Sequence, residues 1–134
     1  MRLNIPDIIA HPDVYMLSRK NFGKIEEKVA NMICKSAEKY NVPLEINLND
    51  IFYKIYFENK ILNNLPVQKQ KEKLANVKYP CKGFRNVVTN YNIKVLYGID
   101  AHYKGQIALW NELLELADEI LGEELIDELR FVCN

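Results

Sequence analysis

A chain of 134 residues, 49% of them hydrophobic, is long enough for one domain with a real core and too short for two. Its 18 Lys and Arg offset 18 Asp and Glu, which leaves no electrostatic footprint for nucleic acid or anionic lipid and points to small molecules or proteins as partners. The three cysteines, Cys34, Cys81 and Cys133, are odd in number and lack paired ligand spacing, so neither a disulfide framework nor a zinc knuckle is expected.

Residues 1–6 lack the apolar stretch of a signal peptide, and no later run reaches the roughly 20 apolar residues of a bilayer span. A soluble, cytoplasmic protein without a membrane role is the expectation. The first element is the apolar run Asp7 to His11, read as a strand that Pro12 stops, with Pro12 and Asp13 opening a loop to about Ser18. Phe22, Ile25, Val29, Ile33, Ala37 and Tyr40 then recur at helical spacing. Ser18 or Asn21 is available as its N-cap, and Asn41 with Pro43 as its stop. From Leu44 to Leu48 the pattern alternates, placing Leu44, Ile46 and Leu48 on one strand face and Glu45 with Asn47 on the other.

Asn49 to Asn64 reads as a short helix through Ile51, Phe52, Ile55, Tyr56, Ile61 and Leu62. The polar stretch Gln68 to Lys73 beyond Pro66 reads as a solvated helix face or loop, with a mobile flap over a site as the alternative. Tyr79 and Pro80 open another helix, with Phe84, Val87, Val88 and Tyr91 as its apolar stripe. A strand follows from Val95 towards Asp100 and His102. The last helix starts near Tyr103 or Lys104, buries Ile107, Trp110, Leu113, Leu114, Ala117 and Ile120, and ends at Gly122; Leu125, Ile126, Leu129 and Phe131 form a terminal amphipathic turn or two.

A helix closes on Tyr-Asn shortly before a strand twice, at Tyr40-Asn41 and at Tyr91-Asn92. Strands and helices that alternate in this way form consecutive parallel βα units of an α/β sheet or barrel, whose function gathers at the C-terminal edge of the strands. His11, Asp100 and His102 fall at that edge, and the chain contains no other histidine. On a strand, Asp100 and His102 at i and i+2 would converge on one point. Imidazole and carboxylate suit Zn, Mn or Fe, and three protein ligands with an open position would describe a hydrolytic site. Against this stands a purely structural alternative, in which His102 caps the last helix and Asp100 accepts its amides. Asp13 is either a carboxylate orienting His11 or a turn residue. Glu45 and Asn47 either line the same cavity or are satisfied by neighbouring strands, because a buried glutamate needs a partner. Cys81, near a helix N-terminus with no histidine close in sequence, reads as an ordinary small residue.

Asp-Ile-Ile-Ala-His-Pro-Asp at 7–13, Leu-Glu-Ile-Asn at 44–47, Tyr-Pro-Cys at 79–81 and Gly-Ile-Asp-Ala-His at 98–102 together resemble the later motifs of the PHP (polymerase and histidinol phosphatase) family. The resemblance spans Ile5 to Gln106 and matches in order and spacing. It implies a distorted seven-stranded β/α barrel with a two- or three-metal site and phosphoester hydrolysis, and it carries His11, Asp100 and His102 onto metal-ligand positions. It also implies a large deficit. The opening His-x-His motif, the next histidine and the bridging glutamate of the family belong to a first half-barrel that precedes the matched motifs. The arginine that follows Glu-Ile-Asn in histidinol phosphatase-like members is absent from Leu48 to Tyr53, where Lys54 is the nearest cation.

The expectation for residues 1–134 is therefore a single C-terminal PHP-like domain fragment: a partial (β/α)7 barrel lacking its N-terminal half, a portion of a metal-dependent phosphomonoesterase that is inactive without that half. Its partners would be a complementary N-terminal half or further copies of itself, and a phosphorylated small molecule. The alternative is a non-catalytic α/β remnant that binds a protein or self-associates.

Overall fold

The computed structural model describes residues 4–57 and 72–132. A 3-10 turn, Val14–Ser18, precedes helix α1, Lys24–Tyr40, and strand β1, Leu44–Asn47. A short α2, Asn49–Ile51, runs on into a π-helical stretch, Phe52–Phe57; α3, Lys82–Val88, and β2, Lys94–Gly98, follow. The chain closes with α4, Lys104–Ala108, α5, Trp110–Leu121, α6, Glu123–Glu128, and β3, Arg130–Phe131. Residues 72–75 are also helical. Ile61, Leu62, Pro66, Cys133 and the Gln68 to Lys71 part of the polar stretch lie outside the described residues.

The class is mixed α/β. Three strands form one sheet in the order β1-β2-β3, all parallel, with Leu44 opposite Val95, Asn47 opposite Gly98, and Val95 opposite Phe131. Parallel neighbours require crossover segments, and α3 and then α4 to α6 supply them. The Asp7 to His11 run contributes less than a strand: a single parallel bridge between Ile9 and Leu44, in which Ile9 donates to Pro43 C=O and accepts from Glu45 N–H, both at 3.0 Å. Pro6 and Pro12 bracket it without amide hydrogens, and His11 leaves the extended region at φ 28, so the ladder cannot lengthen.

One face of the sheet carries the core. Leu44, Ile46, Leu48 and Val95 are fully buried beneath Ala30, Phe84, Leu113, Ala117 and Leu121, and each large side chain so buried contributes about 1.5–3 kcal/mol. The small residues Ala30, Cys34 and Ala37 recur at i, i+4 and i+7 along α1 and let α3 approach closely, with Phe84, Val87 and Val88 filling the seam. Asn41 ends α1 in the left-handed region at φ 52, as its position in the sequence suggests, and Val42 N–H reaches back to Ala37 C=O at 2.9 Å. The N-terminus differs from expectation. Neither Ser18 nor Asn21 caps it; the N-cap is Gly23, whose N–H donates to the Glu26 carboxylate at 2.9 Å, while the Ser18 hydroxyl is spent on Tyr15 C=O. The backbone N–H groups of Glu26 itself and of Gly23 hold the Glu26 carboxyl below the usual carboxylate range.

Two further expectations are corrected at the C-terminal end. The last helix is not continuous: it breaks at Leu109 (φ −94, ψ 11) into α4 and α5, and the break turns Gln106 inward and leaves Ile107 63% exposed. After α6 the chain pairs as β3 rather than ending in helical turns, with Val132 N–H donating to Val95 C=O at 2.9 Å. No helix among the described residues is long and apolar enough to cross a membrane.

Candidate functional site

His11 follows the Ile9 bridge, Asp100 and His102 follow β2, and Glu45 and Asn47 lie on β1; here the backbone twice enters the left-handed region at a residue other than glycine. His11 does so at φ 28 and Asp100 at φ 47. Each such excursion costs about 1–3 kcal/mol and persists only where neighbouring bonds over-determine it.

At His11 the compensating bond is visible. Its backbone N–H donates to Glu45 Oε2 at 2.8 Å, and Asn47 Nδ2 donates to the same oxygen at 3.0 Å. An N–H bond to a carboxylate is worth about 1.5–3 kcal/mol, enough to offset the strained turn. Glu45 is thus satisfied by its neighbours, one of the two arrangements its partial burial demanded. Gly98 makes room for it. A Cβ at position 98 would overlap the Glu45 carboxylate, so the glycine that ends β2 is required by close approach and not by its own dihedral angles.

Asp13 is neither a simple turn residue nor an orienting group for His11. It is fully buried, its Oδ2 accepts Cys81 N–H at 2.7 Å, and its Oδ1 pairs with Arg85 Nη2 at 3.0 Å. The same Nη2 donates to Glu45 C=O at 2.8 Å, while Nε and Nη1 of Arg85, also buried, have no hydrogen-bond partner among the described residues. The guanidinium lies 5.0 Å from the Phe84 ring centre. Sequence reading missed Arg85, because it adjoins Phe84 within a helix whose apolar stripe was legible while a buried cation was not. The only available hint was a buried-type carboxylate needing a counter-charge.

Around Asp100 and His102 the expected i, i+2 convergence fails, because β2 stops at Gly98 and the left-handed Asp100 breaks the alternation on which it depends. The two residues meet differently. His102 Nδ1 lies 2.7 Å from Asp100 C=O; a carbonyl can only accept, so Nδ1 is the donor in this contact. The amides of His102 and Tyr103 are taken at 2.7 and 3.0 Å by Gln106 Oε1, and Gln106 Nε2 donates to Asn49 Oδ1 at 2.9 Å. Helix capping by the Asp100 carboxylate is therefore replaced by Gln106, and both the Asp100 and His102 side chains remain exposed.

Tyr79, absent from the sequence-derived set, joins this edge. Burial, followed by the charges of Asp50, Asp100 and Asp13, pushes its hydroxyl up to about 12, so it stays a donor across the neutral range. Asp50 in turn accepts Lys78 N–H at 2.5 Å. Burial likewise pushes the Cys81 thiol up, away from a reactive thiolate, in keeping with its reading as an ordinary residue.

His11, Asp100 and His102 share an edge but sit on separate loops, and among the described residues no group of three or more His, Cys, Asp or Glu side chains could hold a metal ion. A cavity of about 520 Å³, with neither histidine in its lining, is bounded by Phe22, Lys20, Lys78, Pro80, Cys81 and Lys82 among others. It is open and bordered by surface lysines, whereas the edge concentrates strained backbone and fixed polar groups; the latter is the stronger candidate. No family model, no curated protein and no solved structure matches this chain.

Proposed function

We propose that this chain is the C-terminal portion of a PHP-type metal-dependent phosphoesterase, a partial barrel whose donors His11, Asp100 and His102 complete a metal centre only when the missing half-barrel supplies the rest. The observation that carries this reading is the contact of His102: a ring whose Nδ1 is held by a backbone carbonyl, here Asp100 C=O at 2.7 Å, is oriented as metal-ligating histidines are. His11 and Asp100 both sit at positive φ, and the His11 turn is held by the Glu45 carboxylate. The donor chemistry suits Zn, Mn or Fe, and such an ion supplies Lewis acidity and lowers the pKa of water. Within this chain His11, Asp100 and His102 would hold the ion together with donors from the other half, and Glu45 keeps the His11 turn in place. The substrate class is a phosphorylated small molecule, and no phosphate-binding arginine is assigned.

The partner is the complementary half or, for the chain alone, a second copy. Supporting this, among the described residues the segment that bridges through Ile9 pairs on one side only, and apolar side chains are exposed at both outer edges, Ile5 at 48% and Val132 at 41%. The same edges would serve a non-catalytic self-associating remnant, so metal binding separates the two readings. Calorimetry of the purified chain with Zn or Mn alone should show weak binding that Asp100→Ala or His102→Ala removes. Binding that survives in the His11→Ala, His102→Ala double variant sinks the metal reading. Phosphomonoester turnover by the chain alone should not exceed that of Asp100→Ala.

A further inference from the structure

We propose that Glu45, Asn47, Asn49 and Gln106 form one hydrogen-bonded relay whose task is to set the His11 and His102 turns relative to each other. The relay can be followed bond by bond. His11 N–H and Asn47 Nδ2 both donate to Glu45 Oε2, at 2.8 and 3.0 Å; Asn47 Oδ1 accepts Asn49 N–H at 2.8 Å; Asn49 Oδ1 accepts Gln106 Nε2 at 2.9 Å; and Gln106 Oε1 accepts His102 N–H and Tyr103 N–H at 2.7 and 3.0 Å. The two histidines are 91 positions apart in sequence, and the relay joins them through four side chains.

Three features distinguish this chain of bonds from incidental polar packing. Asn47 and Gln106 are fully inaccessible and Asn49 nearly so, at 6%, so each lost bond leaves a buried group that water cannot rescue. The amides of Asn47 and Gln106 are used at both ends, oxygen and nitrogen, so neither can turn over without breaking bonds on both sides. The relay also terminates at both ends on the backbone N–H of a histidine, in turns where His11 and Asp100 are held at positive φ. Bonds in such a chain polarise one another, and a carboxylate at one end strengthens the effect. Glu45, Asn47, Asn49 and Gln106 are positioning residues. They touch backbone and one another, and act on the site through the two turns.

This inference rests on the reading of the histidines as the working groups of the site, but its test does not use metal. In the full chain, labelled with ¹⁵N and kept metal-free at pH 8, the relay predicts that Gln106→Ala speeds hydrogen exchange of the His11 amide about tenfold although Gln106 does not touch His11. It also predicts loss of the Nδ1–H tautomer of His102. Gln106→Glu should split the two readouts: it keeps an oxygen acceptor for the His102 and Tyr103 amides and loses the donor to Asn49. The His102 tautomer is then retained while His11 exchange still accelerates. Ile107→Ala, one residue along the same helix and exposed, serves as the control and should change neither, and exchange at Val95 reports whether the core is intact. A His11 amide unmoved by both Gln106 variants, with Val95 unchanged, overturns the relay. Zinc titration of His102→Ala decides the metal reading separately, so either idea can fail without the other.

Discussion

The helix-covered face of the sheet and the C-terminal edge of its strands are built by the same two strands under opposite rules. On the face, alternation decides everything: Leu44, Ile46 and Leu48 point in and are fully buried. At the edge, the alternation ends at Asn47 and Gly98, and the backbone N–H of His11 with side chains from residues 13, 49, 85 and 106 completes the bonding. The face tolerates any apolar side chain of fitting volume, whereas the edge depends on particular donors and acceptors. Substitutions at the edge should therefore cost more per atom than those at the face, and in a pattern that depends on partners.

The largest effect is expected at the buried ion pair. Removing either partner alone, as in Asp13→Leu or Arg85→Met, leaves an uncompensated charge and should cost about 3–5 kcal/mol in denaturant unfolding. The double variant Asp13→Leu, Arg85→Met should be less destabilised than the two single losses added together, because a desolvated pair replaced by apolar groups forfeits little. Strict additivity would show that the pair is not coupled and that the contrast between edge and face is misplaced here.

Next in size is Gly98→Ala. The added methyl must displace the Glu45 carboxylate, so about 1–3 kcal/mol should be lost. Chemical shifts at His11 should move with it, because His11 N–H is bonded to that carboxylate. A neutral Gly98→Ala would mean that Glu45 has a second resting place and that the edge is looser than its bonds suggest.

The face yields its own test through pH. Burial pushes the Cys34 thiol up to about 12, from an ordinary value near 9.0. The folded state then holds a proton that the unfolded state releases, so stability should fall as pH rises above about 9 and go on falling towards about 12. Tyr79 at the edge, also pushed up to about 12, adds a loss in the same direction that starts later, near its ordinary value of 10.0. Thermal unfolding of Cys34→Ala between pH 8 and 11 should show a shallower decline than the parent; equal slopes would remove Cys34 from the account.

Much of the face was legible in the sequence, and the reason is local. Helix α1, its stop at Asn41, strand β1 and the stripe of Phe84, Val87 and Val88 follow from periods that a single segment contains. The placement of His11, Asp100 and His102 at one strand edge was legible too, since it needs only the ends of apolar runs. What escaped was set by partners distant in sequence. Arg85 answers a carboxylate 72 positions earlier, and Gln106 answers Asn49 at a separation of 57. The bridge at Ile9 and the strand Arg130–Phe131 depend on neighbours as well, and neither is long enough to declare itself by alternation.

The smallest effect, and the sharpest for the comparison, concerns two adjacent residues of α4. Helical spacing carried through from Lys104 puts Ile107 in the core, but the break at Leu109 rotates this turn, so that Gln106 is fully inaccessible and Ile107 is 63% exposed. Ile107→Ser should consequently leave unfolding free energy within about 0.5 kcal/mol of the parent, as exposed substitutions do. Gln106→Ala, which removes the more hydrophilic side chain, should cost about 1–3 kcal/mol, because the amides of His102 and Tyr103 and the Asn49 oxygen lose a partner in a water-poor site. On hydrophobicity alone the order would be reversed. If Ile107→Ser proves the costlier change, and remains so across a range of protein concentrations, α4 and α5 form one continuous helix in solution and the polar edge loses its link to His102.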